Sequence, residues 1–207
     1  MITQAKVKIC GMRNAENIRE VEALGIDLMG FIFWPKSSRY VSERPAYLPT
    51  QCKRVGVFVN ENTENVKHIA DDYALDFIQL HGSESPDDIR RLRSLCGDSI
   101  ATIKAFNIAT ANDLEATKPY EGIVDYFLFD TKAQLPGGTG KQFDWSVLAN
   151  YVGETPFLLS GGIGPDDAES VKAFHHPKCV GFDLNSKFEI EPALKDIQKL
   201  KTFLEQL

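Results

Sequence analysis

A chain of 207 residues with 43% apolar and 25% charged side chains can fill one sizeable core, and its composition excludes a disordered or fibrous protein. A formal charge of −6 argues against a surface for nucleic acid or anionic membrane. The start, MITQAKVKIC, has neither the charged head nor the long apolar stretch of a signal peptide, and no run of 18 apolar residues occurs, so a cytoplasmic protein without a membrane partner is expected.

Taken in chain order, β-rich runs alternate with helical patterns. Lys6–Cys10 reads as the first strand, and Asn14 caps a helix through Leu24 that Gly25 stops. Leu28–Phe33 is the second strand. Around Glu43–Leu48 the helical pattern is weak, little more than a turn. Arg54–Val59 is the third strand, and Asn62 or Thr63 opens a helix to about Tyr73. Asp76–Leu80 follows, then Ser85 as N-cap, Pro86 at the first helical position and Asp87-Asp88 in the first turn. Ala101–Phe106 and Asp125–Asp130 are the fifth and sixth strands. Pro156–Ser160 is the seventh, with a helix opening at Pro165-Asp166-Asp167. Val180–Leu184 is the eighth, and Glu191–Leu207 forms a terminal amphipathic helix.

Runs such as GFIF, VGVFV and YFLF are apolar on both faces, as parallel strands covered on both sides must be. Strand–helix alternation implies right-handed crossovers in a parallel sheet. Eight repeats without a Gly-rich dinucleotide fingerprint favour a closed barrel over an open doubly wound sheet. The fold expected is α/β, a single (β/α)8 TIM barrel over residues 1–207. Its loops must be short, because such barrels usually need about 250 residues.

In this fold chemistry sits at the C-terminal ends of the strands. There the sequence places Cys10-Gly11, Trp34 to Arg39, Asn60, Gln79 to His81, Asp130, Ser160 to Gly162 and Asp183 to Ser186. Cys10 closes KVKIC beside Gly11, where a thiol can act as a base if its surroundings favour the thiolate. Buried cysteines otherwise serve as small hydrophobes, which is the reading of Cys52, Cys96 and Cys179. Asp130 ends an apolar strand, a costly place for a carboxylate without a purpose; Asp183 is placed alike. Arg39 suits a carboxylate or phosphate clamp.

Gly137-Gly138-Thr139-Gly140 follows the sixth strand and Ser160-Gly161-Gly162-Ile163-Gly164 the seventh. The second segment runs into a helix start, and with Asn185 and Ser186 it forms a candidate phosphate site. The cysteines have no CxxC spacing, and no cluster of His, Cys, Asp and Glu has metal-ligand spacing. His81 reads as a packed, hydrogen-bonded group, and His175-His176 as residues near a helix end.

These segments resemble the phosphoribosylanthranilate isomerase family along essentially the whole chain. They are KICGM at 8–12, GFIFWPKSSRYV at 30–41, VGVFVN at 55–60, QLHG at 79–82, FDT at 129–131, GGTGKQFDW at 137–145, LSGGI at 159–163 and GFDLNSKFE at 181–189. The resemblance implies an Amadori rearrangement of N-(5-phosphoribosyl)anthranilate in tryptophan biosynthesis. It implies Asp130 as general acid on the furanose oxygen and Cys10 as general base at C2′. It places Arg39 on the anthranilate side, Asp183 near the sugar hydroxyls, and Gly161, Gly162, Asn185 and Ser186 at the phosphate. Gln79 joins them as a substrate-binding candidate, and Gly137, Gly138, Thr139 and Gly140 as a lid.

The resemblance implies no metal and no organic cofactor. Its only partner is a small phosphosugar substrate, and a monomer is favoured over a homodimer. The chain departs from the family's pattern at Asn185-Ser186-Lys187, where many members read Ser-Ser-Gly. Two alternatives stand beside this reading: a barrel that binds phosphate without catalysis, as scaffold or sensor, and a related phosphosugar isomerase. The histidine-pathway isomerase has Asp where this chain has Cys10.

Overall fold

The apolar runs become the staves of a closed barrel. A computed structural model of the chain describes residues 5–97, 99–131 and 145–207. Among these the strands are β1 (Lys6–Cys10), β2 (Leu28–Ile32), β3 (Lys53–Phe58), β4 (Phe77–Leu80), β5 (Ala101–Ile108), β6 (Tyr126–Thr131), β7 (Phe157–Ser160) and β8 (Cys179–Leu184). Each pairs in parallel with its neighbours in chain order, and β8 closes onto β1 with Lys8 in register with Asp183. The (β/α)8-type barrel read from the sequence is therefore the fold.

Side chains alternate across a strand, so the sheet separates two apolar layers. Leu28, Val55, Val57, Ile103, Leu128 and Leu158 fill the interior, with Cys10 among them. Ile9, Met29, Phe31, Phe127, Phe129 and Phe157 point outward under the surrounding helices.

Those helices start where the sequence provides caps. Asn14 accepts the Asn17 amide at the start of α1 (Ala15–Glu22), and Asn62 accepts those of Glu64 and Asn65 at the start of α2 (Thr63–Tyr73). Ser85 and Asp88 form a reciprocal capping box on α3 (Pro86–Cys96), satisfying two amides that the helix leaves unpaired. Single-turn or longer 3₁₀ segments at Ala111–Tyr120 and Trp145–Asn150 stand where the next two helices would be. Pro165–Asp167 is also 3₁₀ and leads into α4 (Ala168–Ala173). No helix among the described residues is long and apolar enough to cross a membrane.

One expectation needs correction, the start of the terminal helix, while the weak pattern at Glu43–Leu48 is, as expected, no helix but bends and irregular chain. Pro45 and Pro49 lack amide donors, and the backbone bonds sideways: the amides of Thr50 and Gln51, with the Tyr47 hydroxyl, donate to the Glu22 carboxylate. The terminal helix α5 is Ile197–Gln206, capped by Asp196. The residues ahead of it form an antiparallel ribbon, β9 (Glu189–Glu191) and β10 (Leu194–Lys195). Pro192 and Ala193, with φ +69°, turn the chain there and exclude a helix.

Candidate active site

Strand alternation sends Cys10, Gln79, Asp130, Ser160 and Asp183 to the interior at the same end of the barrel, around a cavity of about 180 Å³. A larger hollow of about 460 Å³ opens between the starts of α2 and α3, but none of these groups reaches it.

Cys10 is buried, and Gly30 on β2 lies in register beside it. A Cβ at Gly30 would stand 2.7 Å from the Cys10 sulfur, so the thiol occupies space that only glycine leaves open. Gly11 follows with φ +81°; a Cβ there would meet Arg39 Cδ at 2.6 Å and Asn185 Oδ1 at 2.9 Å. Burial raises the Cys10 pKa above the ordinary thiol value, and the nearby ammonium groups of Lys8 and Lys195 only partly oppose this. Lys8 is fully buried on the same face of β1, with Nζ 2.7 Å from Asp183 Oδ1. Burial draws the Lys8 pKa down, but Asp183 and Cys10 outweigh it and hold the ammonium above the usual lysine range. Ser160 Oγ donates to the other Asp183 oxygen at 3.1 Å.

Across the cavity, Asp130 Oδ2 lies 3.7 Å from His81 Nε2, close enough for charge to matter but beyond hydrogen-bond length. Gln79 Nε2 lies 3.0 Å from His81 Nδ1. With the amide nitrogen donating, the imidazole carries its proton on Nε2, facing Asp130. Gln79 Oε1 is buried without a hydrogen-bond partner among the described residues. His81 is held from behind, since Lys104 Nζ bonds the carbonyls on either side of it, Leu80 at 3.3 Å and Gly82 at 2.7 Å.

At the β7 and β8 ends the cavity wall is Gly161, Gly162, Asn185 and Ser186. The two glycines have φ +93° and +71°, left-handed conformations that bare their backbone to the cavity. Lys187 is exposed and does not line it. Asn185 Oδ1 accepts Lys195 Nζ at 2.8 Å, and Lys195 also bonds Glu189. Arg39 does not line the cavity directly: its stem passes Gly11 and its guanidinium forks onto Glu189. Gly137, Gly138, Thr139 and Gly140 lie outside the described residues. Among the described residues no group of three or more His, Cys, Asp or Glu could hold a metal ion.

The structure thus gathers Cys10, Gln79, Asp130, Gly161, Gly162, Asp183, Asn185 and Ser186, with Arg39 at the edge. Sequence reasoning missed Lys8, Lys195 and Glu189, and read His81 only as a packed group. Lys8 carried a usable signal: in KVKIC it stands two residues before Cys10, on the same face of the strand. Lys195 lay inside what read as one amphipathic helix, and Glu189 just ahead of it.

A closed β/α barrel with a thiol, a carboxylate and an imidazole converging at its strand ends is the architecture of a barrel enzyme. The family model for N-(5'phosphoribosyl)anthranilate (PRA) isomerase matches residues 7–206. The chain is 53% identical to the N-(5'-phosphoribosyl)anthranilate isomerase of Parabacteroides distasonis, covering 97% of this chain and 92% of that one. It is 51% identical to the enzyme of the same name from Phocaeicola vulgatus, with 97% of each covered. Among solved structures, the phosphoribosyl anthranilate isomerase of Thermotoga maritima superposes with a TM-score of 0.81 at 32% identity, covering 98% of both chains. A phosphoribosyl anthranilate isomerase in complex with reduced 1-(o-carboxyphenylamino)-1-deoxyribulose 5-phosphate gives 0.81 at 31%, with the same coverage. The chain belongs to the N-(5'-phosphoribosyl)anthranilate isomerase family.

Proposed function

We propose that Asp130 and Cys10 are the general acid and general base of the family's reaction in this chain. That reaction is the rearrangement of N-(5'-phosphoribosyl)anthranilate to 1-(2-carboxyphenylamino)-1-deoxyribulose 5-phosphate, an aldose-to-ketose isomerisation of tryptophan biosynthesis. The observation that supports the assignment best is the placing of both groups in one wall-lined cavity, on β1 and β6.

In this reading Asp130 gives its proton to the ring oxygen as the C1′–O bond breaks, and the nitrogen lone pair forms the Schiff base. Cys10, as thiolate, takes the C2′ proton, and the resulting enolamine collapses to the amino-ketone. C2′ is oxidised and C1′ reduced within one molecule, so the electrons balance. Each transfer typically contributes ~10²–10⁴-fold. Gln79 Oε1, buried and unpaired, accepts from a substrate hydroxyl or amine, and Asp183 takes a sugar hydroxyl. Arg39 faces the anthranilate carboxylate from the rim. Gly161, Gly162, Asn185 and Ser186 take the phosphate through bared amides and short polar side chains.

Anthranilate fluorescence tests the assignment, with phosphoribosylanthranilate generated in place. Wild-type protein should quench it, and folded Cys10→Ser and Asp130→Asn variants should lose at least about 100-fold. Undiminished turnover by Cys10→Ser would remove Cys10 as the base. The sequence's further expectation of a cytoplasmic monomer is tested, for its oligomeric part, by light scattering of the purified chain.

A further inference from the structure

The interior of the barrel holds one group that its packing does not explain. Lys8 is fully buried in a layer otherwise filled by Leu28, Val55, Ile103 and Leu158, where an aliphatic side chain would pack without desolvating a charge. Its partner Asp183 does not account for it, because a buried pair is often replaced by apolar residues without loss of stability. The placement is specific. Lys8 and Cys10 are separated by one residue on β1 and so share a face, and Lys8 sits in register with Asp183 on β8. The ammonium has three donors, of which Asp183 Oδ1 takes one at 2.7 Å, which leaves others for the thiol on the same strand face. Ser160 holds the second Asp183 oxygen and so fixes the carboxylate.

We infer that Lys8 is a positioning residue for the base: its buried ammonium, anchored on Asp183, orients the Cys10 sulfur and stabilises it as a thiolate. The inference rests on the reading of Cys10 as the base. Other charged groups face the same sulfur. Lys195 approaches from β10 and Arg39 from the loop after β2, and both are neutralised by Glu189. Asp183 faces it from β8, while His81 and Asp130 stand across the cavity. Lys8 shares the thiol's strand and strand face, and its ammonium favours the thiolate, while the Asp183 carboxylate opposes it.

The opposed signs give the test. Lys8→Met and Asp183→Asn break the same ion pair, so a purely structural role would move both variants alike. Electrostatic control moves them apart. Removing the ammonium disfavours the thiolate and raises the thiol's titration midpoint. Removing the carboxylate leaves the thiolate as the ammonium's remaining partner and lowers it. The readout is the pH dependence of iodoacetamide alkylation at Cys10 in the free protein, resolved from the other cysteines by peptide mass spectrometry. The kcat/KM pH profile is measured in parallel.

We expect the alkylation midpoint to rise by about one pH unit or more in Lys8→Met and to fall in Asp183→Asn, with the acidic limb of kcat/KM following each. The double variant Lys8→Met/Asp183→Asn leaves no unpaired buried charge and should fold if Lys8→Met does not; its midpoint should lie between those of the single variants. Midpoints that move together, or stay at the wild-type value, overturn the inference. Midpoints that separate while the kcat/KM profile stays fixed would instead show that Lys8 governs a thiol that is not the base.

Discussion

Arg39 and Glu189, 150 residues apart, form a forked ion pair, with Arg39 Nε 2.8 Å from Oε1 and Nη2 2.6 Å from Oε2. The same carboxylate accepts Lys195 Nζ at 2.6 Å and the Ala193 amide at 3.1 Å. Lys195 in turn bonds Asn185, and Asn17 of α1 brackets the Lys195 backbone from both sides. One buried carboxylate therefore ties the loop after β2 to the loop after β8, on the two flanks of the cavity.

Replacing Glu189 with Ala should leave the Lys195 ammonium buried and unpaired, at a cost of about 3–5 kcal/mol in stability. Denaturant unfolding would register this as a lower midpoint at unchanged slope. The pH dependence follows from the same contacts. Burial pushes the Glu189 carboxyl up, but Arg39 and Lys195 outweigh it and hold it below the ordinary value of 4.5. A depressed carboxyl gives stability that is fully present above that value and is lost as pH falls through the folded one. Wild type should therefore lose stability on acidification below about pH 4.5, and Glu189→Ala should lose less over that range.

Gly30→Ala puts a methyl group 2.7 Å from the Cys10 sulfur. Overpacking of this kind costs about 1–3 kcal/mol, which a barrel can survive. The thiol must move by a substantial part of an ångström, and misplacement on that scale can cost about 100-fold in rate. Thermal unfolding and kcat measured side by side should show a modest fall in Tm with a collapse in kcat. Full activity in a stable Gly30→Ala protein would mean that the thiol's place is not critical.

Gln79 combines a donor engaged with His81 and an acceptor left without a partner. Burying an unsatisfied oxygen is costly, so exchange for Leu should leave the free protein as stable as before, or more so. Substrate binding should suffer instead, with KM rising about tenfold if one hydrogen bond is lost. A loss of stability above about 2 kcal/mol with unchanged KM would make Gln79 a structural residue.

Several strands were legible because they are apolar on both faces, and the helix starts because Asn14, Asn62 and Ser85 satisfy amides within three residues of themselves. Strand ends then located Cys10, Asp130 and Asp183, since alternation decides which side of the sheet a residue faces. What stayed hidden depends on distant partners. The path of the chain at 43–51 is set by Glu22 on α1, which accepts the Thr50 and Gln51 amides. The ribbon takes residues 191–195 from the expected terminal helix because Lys195 is drawn inward to Glu189 and Asn185. His81 read as a packed side chain because its neighbour Asp130 lies 49 residues further along, on another strand.

Lys104 presents the last case, where a cation outside the cavity acts on a residue inside it. Its Nζ is buried against Glu84 Oε2 at 3.2 Å and bonds the carbonyls of Leu80 and Gly82, so it fixes the backbone on both sides of His81. Glu84 Oε1 accepts the amides of Asn60 and Gly82, which closes the loop on itself. Lys104→Met removes the donor and strands the carboxylate, and should cost about 3–5 kcal/mol. Adding Glu84→Gln removes the stranded charge, so the double variant should recover a good part of that loss in a denaturant titration. Activity should not recover with it, because neither replacement restores the grip on the Leu80 and Gly82 carbonyls. A double variant with wild-type kcat/KM would show that Lys104 serves only to neutralise Glu84.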